Sequence, residues 1–128
     1  MQIDALTREQ AVEALADEQK VYAPVENVFM GIERHRRLLC PLTGTEWVDG
    51  KQIEGTFASA LVLGQISVKR AERRKGAATD ALMWLIEIAP SLGCSFVRIN
   101  RVIAPEMERI AQRCGFTEAA PGVYDYVV

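Results

Sequence analysis

Cysteine, histidine and long apolar runs are scarce in this chain, and each scarcity excludes a class of protein. The three cysteines, Cys40, Cys94 and Cys114, are odd in number and far apart. They suit neither a disulfide framework nor the paired spacing of a zinc site. Reduced thiols and a cytoplasmic location are the expectation. A single histidine, His35, disfavours metal chemistry built on imidazole clusters. The longest apolar run, Ala81 to Ala89, is broken by Glu87, and a membrane span needs roughly 20 apolar residues. Met1-Gln2-Ile3-Asp4 opens the chain with no basic region and no long apolar stretch, so no signal peptide is expected. Neither a GxGxxG loop nor a Walker-type phosphate loop occurs.

What remains is the composition of an ordinary globular chain. Its 128 residues are 49% hydrophobic and 25% charged. That length predicts one domain, residues 1–128, whose core forms without staples. Lys and Arg number 15 against 17 Asp and Glu, a net charge of -2. A general phosphate-coating protein needs a cationic excess. Nucleic acid is therefore a disfavoured partner, and no membrane partner is expected.

Thr7 followed by Gln10 is a capping-box pattern and predicts a helix over 7–20. Val12, Leu15, Ala16 and Gln19 mark its inner face, and Pro24 closes the region. From 28 to 68 β-character dominates. Val28 to Ile32 is one candidate strand, and Leu38 to Cys40 another, stopped by Pro41. Asp49-Gly50 marks a turn. Thr56 to Leu63 and Gln65 to Val68 read as strands joined at Gly64. Ala78, Ala81, Leu82, Leu85 and Ile88 then recur at helical spacing, while Met83, Trp84 and Ile86 widen the apolar surface. A helix so broadly apolar packs against a sheet. Cys94 to Val102 reads as a strand. Pro105, Glu106 and Glu108 suit the first turn of a further helix. Met107, Ile110, Ala111 and Cys114 share one of its faces, and Gly115 ends it. Val123 to Val128 is a terminal strand. The fold class is α/β, with an antiparallel front half and a βαβ unit behind it.

The chemistry concentrates between the strand ending at Val68 and the helix after Gly76. Lys69, Arg70, Arg73, Arg74 and Lys75 set five cations against Glu72, a local charge of +4 in a chain whose remainder carries -6. The first amides of a helix have no intrahelical acceptor and sit at its positive end. A phosphate is accepted there. Gly76 lacks a Cβ, so a ligand can approach the main chain. Ala77 and Ala78 keep the first turn small. Each exposed helix-end interaction is worth about 0.3–1 kcal/mol, so several must act together.

Arg73-Arg74-Lys75-Gly76-Ala77-Ala78, preceded by Ile66-Ser67-Val68, resembles the acetyl-CoA loop of the GNAT N-acetyltransferases. Ala111-Gln112-Arg113-Cys114-Gly115-Phe116 resembles the helix and Gly-Phe that follow in that family. The resemblance spans residues 64 to 118. It implies a GNAT-like, mostly antiparallel twisted sheet flanked by helices, with a splayed strand pair. It also implies acetyl-CoA as co-substrate and direct acetyl transfer to an amine. Residues 73 to 78 would hold the pyrophosphate. Main-chain groups around Ile66, Ser67 and Val68 would hold the pantetheine arm and polarise the carbonyl.

The chain departs from the family at Ala104 and Ala111, positions often held by Asn and by a Tyr that protonates the leaving thiolate. Tyr124 and Tyr126 are the candidate replacement phenols, with packing of one sheet face as the plainer role. His35, among Glu33, Arg34, Arg36 and Arg37, has the chemistry of a base in a cationic setting. Glu33, Glu46 and Glu54 lie where a base for the amine is expected. Cys94, Cys114 and Trp84 read as core residues. Glu9, Glu13, Asp17 and Glu18 would favour a cationic acceptor. Two rival readings stand beside the enzyme. One is a GNAT-shaped binding or assembly protein, of the kind a phage encodes, with weak catalysis. The other is a small nucleic-acid binder using the Lys69 to Lys75 patch.

Overall fold

The computed structural model describes residues 5–69, 76–102 and 104–128. Helix α1 (Arg8–Asp17) begins at Thr7, whose side chain accepts from the Gln10 amide while the Gln10 side chain accepts from the Thr7 amide. Its buried face is Ala11 and Leu15; Ala16 and Gln19 are exposed, a correction to the expected stripe. No basic residue occupies its last turn. Arg34 supplies that charge from the sheet, donating from one guanidinium nitrogen to the Leu15 and Ala16 carbonyls at 3.0 and 3.3 Å. A cation at this end also opposes the helix dipole.

Strand β1 (Lys20–Val25) was not expected, because Pro24 marked the end of the region. β1 is an edge strand paired with β2 (Val28–Val48) and bridged on its outer side by Leu6, whose amide donates to the Pro24 carbonyl, and an edge tolerates a residue without an N–H. Pro41 likewise fails to stop β2. It lies where the ladder to β3 (Lys51–Val68) shifts register between Cys40 and Thr45. The two expected strand pairs are thus two long, bent strands. Asp49 and Gly50, at φ 51° and 76°, form the turn between them. Positive φ at both positions is the type I′ geometry that matches strand twist.

Helix α2 (Ala77–Ile88), one 3₁₀ turn (Pro90–Leu92) and strand β4 (Phe96–Ile99) complete a β3-α2-β4 unit with parallel strands. Helix α3 (Pro105–Arg113) leads to β5 (Thr117–Ala120) and β6 (Val123–Val127). β5 escaped the sequence reading because it lacks apolar alternation. It is a short edge strand with three of its four residues exposed. The sheet order is β1-β2-β3-β4-β6-β5, antiparallel except at β3-β4. No described helix is long and apolar enough to cross a membrane.

One sheet face carries the main core. Val21, Met30, Ile32, Leu61, Leu63, Val97 and Ile99 meet Leu15 of α1, Leu82 and Leu85 of α2, and Ala111 of α3. Burial of such side chains stabilises by about 1.5–3 kcal/mol each. Met83 of α2 remains half exposed. The opposite face carries a smaller cluster of Cys40, Ala60, Val62 and Phe96. An ion pair closes that face. Arg98 Nε donates to Asp125 Oδ1 at 2.8 Å, and its terminal nitrogen donates to Asp125 Oδ2 at 2.9 Å and to the Leu39 carbonyl. Asp125 is fully buried, and its hydrogen bonds hold the Arg98 guanidinium above the usual arginine range. The contact ties β2 across β4 and β6. Asp125→Ala leaves a buried guanidinium unpaired, so a loss of about 3–5 kcal/mol is expected in urea unfolding. The paired replacement Arg98→Met, Asp125→Leu is expected to lose less, because no charge is then stranded.

Candidate functional site

β3 and β4 pair from Ala60↔Phe96 to Leu63↔Ile99. The last bond between them is Asn100 N–H to the Leu63 carbonyl, 3.0 Å. β3 then continues to Val68, clamped on its other edge by β2 through Met30↔Ile66, Phe29↔Ser67 and Val28↔Val68. The chain leaving β4 goes the other way. Arg101 takes φ 58°, and the Val102 amide donates to the Gly122 carbonyl at the β5-β6 turn, 2.9 Å. The strands therefore fork. A left-handed backbone at a non-glycine residue is uncommon and turns the chain sharply.

Two cavities fill the fork. The first, about 310 Å³, is lined by Leu63 to Ile66 on one side and by Ile99, Asn100, Arg101, Ala104 and Met107 on the other. The second, about 240 Å³, includes Ile66, Ser67, Val68 and Ala78, with Met107 and Ile110 of α3 opposite. Ile66, Ala104 and Met107 line both. The fork thus leads from Leu63 to the first turn of α2. That turn begins at Gly76, in the left-handed region at φ 77°, with no side chain capping its amides. A Cβ built on Gly76 would meet no described residue within 4 Å, so the described residues leave the helix end open. Uncapped amides at a positive helix end suit an anion.

Of the residues predicted to hold the cofactor, Ile66, Ser67, Val68 and Ala78 share a cavity, and Gly76 and Ala77 lie at the adjoining helix end. Arg73, Arg74 and Lys75 lie outside the described residues. The sequence reading missed Gly64. The register passes from Ile32↔Leu63 to Gly31↔Gln65, so Gly64 is the extra residue of a bulge at the root of the fork. A glycine inside a strand pattern is the signal for one. Asn100 and Arg101 fall inside the expected strand Cys94 to Val102 and so are not among the expected site residues, but β4 ends at Ile99 and both line the fork; Met107, expected only on the inner face of α3, lines it too.

The candidate phenols lie elsewhere. Tyr124 is buried, its hydroxyl 2.8 Å from Glu108 Oε1 and 3.1 Å from Glu118 Oε2. Tyr126 packs on Phe116, ring centroids 5.6 Å apart. Neither lines the fork. Burial, then the two carboxylates, push the Tyr124 phenol above its ordinary value of 10.0. Ala104 caps α3 and lines the fork, whereas Ala111 is fully buried in the core. Burial raises the Cys94 and Cys114 thiols, which disfavours a thiolate nucleophile. The acidic residues of α1 line neither fork cavity. No group of described residues is arranged to hold a metal ion.

No family model and no curated protein matches this sequence. Solved structures do match. Arabidopsis thaliana NAA60 in complex with acetyl-CoA superposes with a TM-score of 0.54 at 12% identity, covering 83% of this chain and 68% of that one. AtaT complexed with acetyl-methionyl-tRNAfMet gives 0.57 at 9% identity, covering 92% and 76%. A GNAT-family acetyltransferase from Listeria monocytogenes gives 0.44 at 19%, and this chain covers only 43% of its length. At these identities the likeness is one of fold: the chain has the GNAT fold, with its mixed sheet and forked central strands.

A hydroxyl held at high pKa contributes stability that is complete below the unfolded value of 10.0 and is lost as pH rises above it. Wild-type stability in urea is therefore expected to fall above that pH. Tyr124→Phe should lose about 1–2 kcal/mol at neutral pH and show a shallower alkaline decline.

Proposed function

We propose that the chain is an acetyl-CoA-dependent N-acetyltransferase that passes an acetyl group directly to an amine. The observation that carries this reading is the fork between β3 and β4, open from the Gly64 bulge to the uncapped amides of α2. An extended arm with a diphosphate at one end has the shape of that path. The fold shared with NAA60 and AtaT supports the same reading.

The residues fit the co-substrate. The Gly76, Ala77 and Ala78 amides take the pyrophosphate, with charge added by Arg73, Arg74 and Lys75. Ile66, Ser67 and Val68 wall the arm. When bound, acetyl-CoA supplies an activated thioester carbonyl. Main-chain groups around Ile66, Ser67 and Val68 would polarise it, which is the usual service of amides at an acyl-transfer site. Asn100 and Arg101 bring side-chain donors to the same cavity.

The fork lacks one helper. Ala104 and Ala111 carry no acid, and general acid catalysis is typically worth about 10²- to 10⁴-fold. That deficit favours a second reading, a GNAT-fold protein that binds the co-substrate and transfers slowly. Calorimetry and thiol release separate the two. CoA and acetyl-CoA are expected to bind with micromolar affinity. Gly76→Asp sets a carboxylate at the phosphate position, at a left-handed φ of 77° that strains any side chain, and should abolish binding; an unchanged circular dichroism spectrum checks that the chain stays folded. Amine-dependent thiol release supports the enzyme; binding without release supports the second reading. Failure of both ligands to bind at millimolar concentration overturns the assignment.

A further inference from the structure

The face of the sheet away from the helices holds a cavity of about 430 Å³. It shares Gly64, Gln65, Asn100 and Arg101 with the fork, so the two spaces meet at the bulge. His35 and Glu33 also line it. They alternate with Ile32 along β2 and so point to the same open face. His35 Nε2 lies 3.0 Å from Glu33 Oε2. With the hydrogen on Nε2, Glu33 accepts it and Nδ1 is left as the acceptor. A base oriented by a carboxylate is the recurring arrangement for activating a nucleophile. His35 pairs with Ala60, four residues before Gly64, so it faces the cavity from the end away from the fork. Both side chains are partly exposed, at 39% and 62%, so a substrate reaches them.

Two cations, Lys20 and Arg101, line the same cavity against the one carboxylate of Glu33. Arg101 is the residue held at φ 58°. Strain of this kind, about 1–3 kcal/mol, concentrates where function over-determines the backbone.

We infer that this cavity is the acceptor site, that His35 held by Glu33 is its base, and that it takes an amine carrying an anionic group. The inference rests on the acetyltransferase reading above. His35 removes one proton from the ammonium and passes it to water. The nitrogen lone pair attacks the acetyl carbonyl carbon; the C–N bond forms, the C–S bond breaks, and the second nitrogen proton goes to the departing sulfur. Lys20 and Arg101 hold the anion. Glu33 is a positioning residue. Polyamines are disfavoured acceptors, contrary to the expectation drawn from the acidic helix α1, none of whose residues lines the cavity.

The test uses wild type, His35→Gln and Glu33→Gln. CoA calorimetry comes first: all three chains are expected to bind alike, and failure there sinks the cofactor reading, not this one. Glycine and phosphoethanolamine then serve as anionic probes, with ethanolamine and spermidine as comparators. The single histidine gives one set of ring NMR signals, which both anionic probes, or one of them, should shift. Thiol release should be faster with that probe than with ethanolamine or spermidine. His35→Gln should lower kcat/KM for it by about 10²-fold or more, with partial rescue by imidazole, and should barely affect hydroxylamine, which is already neutral. Glu33→Gln should give a smaller loss with the same selectivity. An equal loss for both nucleophiles, or no loss, overturns the base. Absence of ring shifts and of release with both anionic probes overturns the substrate class.

Discussion

The fork between β3 and β4 is the constraint on which the rest depends, and it follows from a competition for backbone hydrogen bonds. Buried or semi-buried amides must find partners somewhere. Up to Leu63 and Ile99 the two strands satisfy each other. Beyond that point each has a better offer. β3 is held by the long ladder to β2 as far as Val68. The chain after Asn100 is drawn to the Gly122 carbonyl by Val102. Neither strand can close the gap without breaking its other contacts. Met107 and Ile110 of α3 wall the opening from the helix side. The cleft is thus built from the β2-β3 ladder on one side and, on the other, from the turn at Arg101 and its bond to the β5-β6 turn.

The helices were legible because local chemistry specified them. The Thr7-Gln10 capping box, the apolar spacing of Ala81, Leu82, Leu85 and Ile88, and Pro105 at the head of α3 all occur as written in the sequence. The βαβ unit was legible for the same reason. The strands were less so, because proline was read as a breaker where tertiary context tolerates it. Pro24 sits on an edge strand and Pro41 in a register shift. β5 carries no alternation to read. The proposed phosphate end of the site was read from charge plus glycine; of those residues the structure describes Gly76 at the head of α2. The partnership of Glu33 with His35 was not, since a pair two residues apart means little until a strand puts both on one face of the sheet.

The two faces divide the work. All three helices pack on one side, where the main core lies. The other side carries only the small cluster around Phe96 and the Arg98–Asp125 pair. A sheet so covered leaves its bare face to a second substrate. Among the described residues, that face shares Gly64, Gln65, Asn100 and Arg101 with the fork. In the proposed reaction two ligands would arrive from opposite sides and meet through the sheet at the bulge. Holding reactants in such a geometry removes most of the entropic cost of a bimolecular step.

The two alanines acquire a meaning in this arrangement. Ala111 is enclosed in the core, and Ala104 faces the fork without a polar side chain, so among the described residues the only ionisable side chain that α3 brings to the fork is Glu106, at its outer cavity. Tyr124 cannot substitute, because its hydroxyl is engaged by Glu108 and Glu118 and lies outside both cavities. A thiolate is a tolerable leaving group, and the attacking nitrogen has a proton to give it. The step that cannot be left to chance is the first one, since a protonated amine has no lone pair. Selection on such a scaffold would retain chemistry on the acceptor side and let the leaving-group side lapse. A carboxylate-held imidazole on the open face, opposite a helix wall of Ala104, Met107 and Ile110 with Glu106 at its outer end, is the distribution of polar groups that this division predicts.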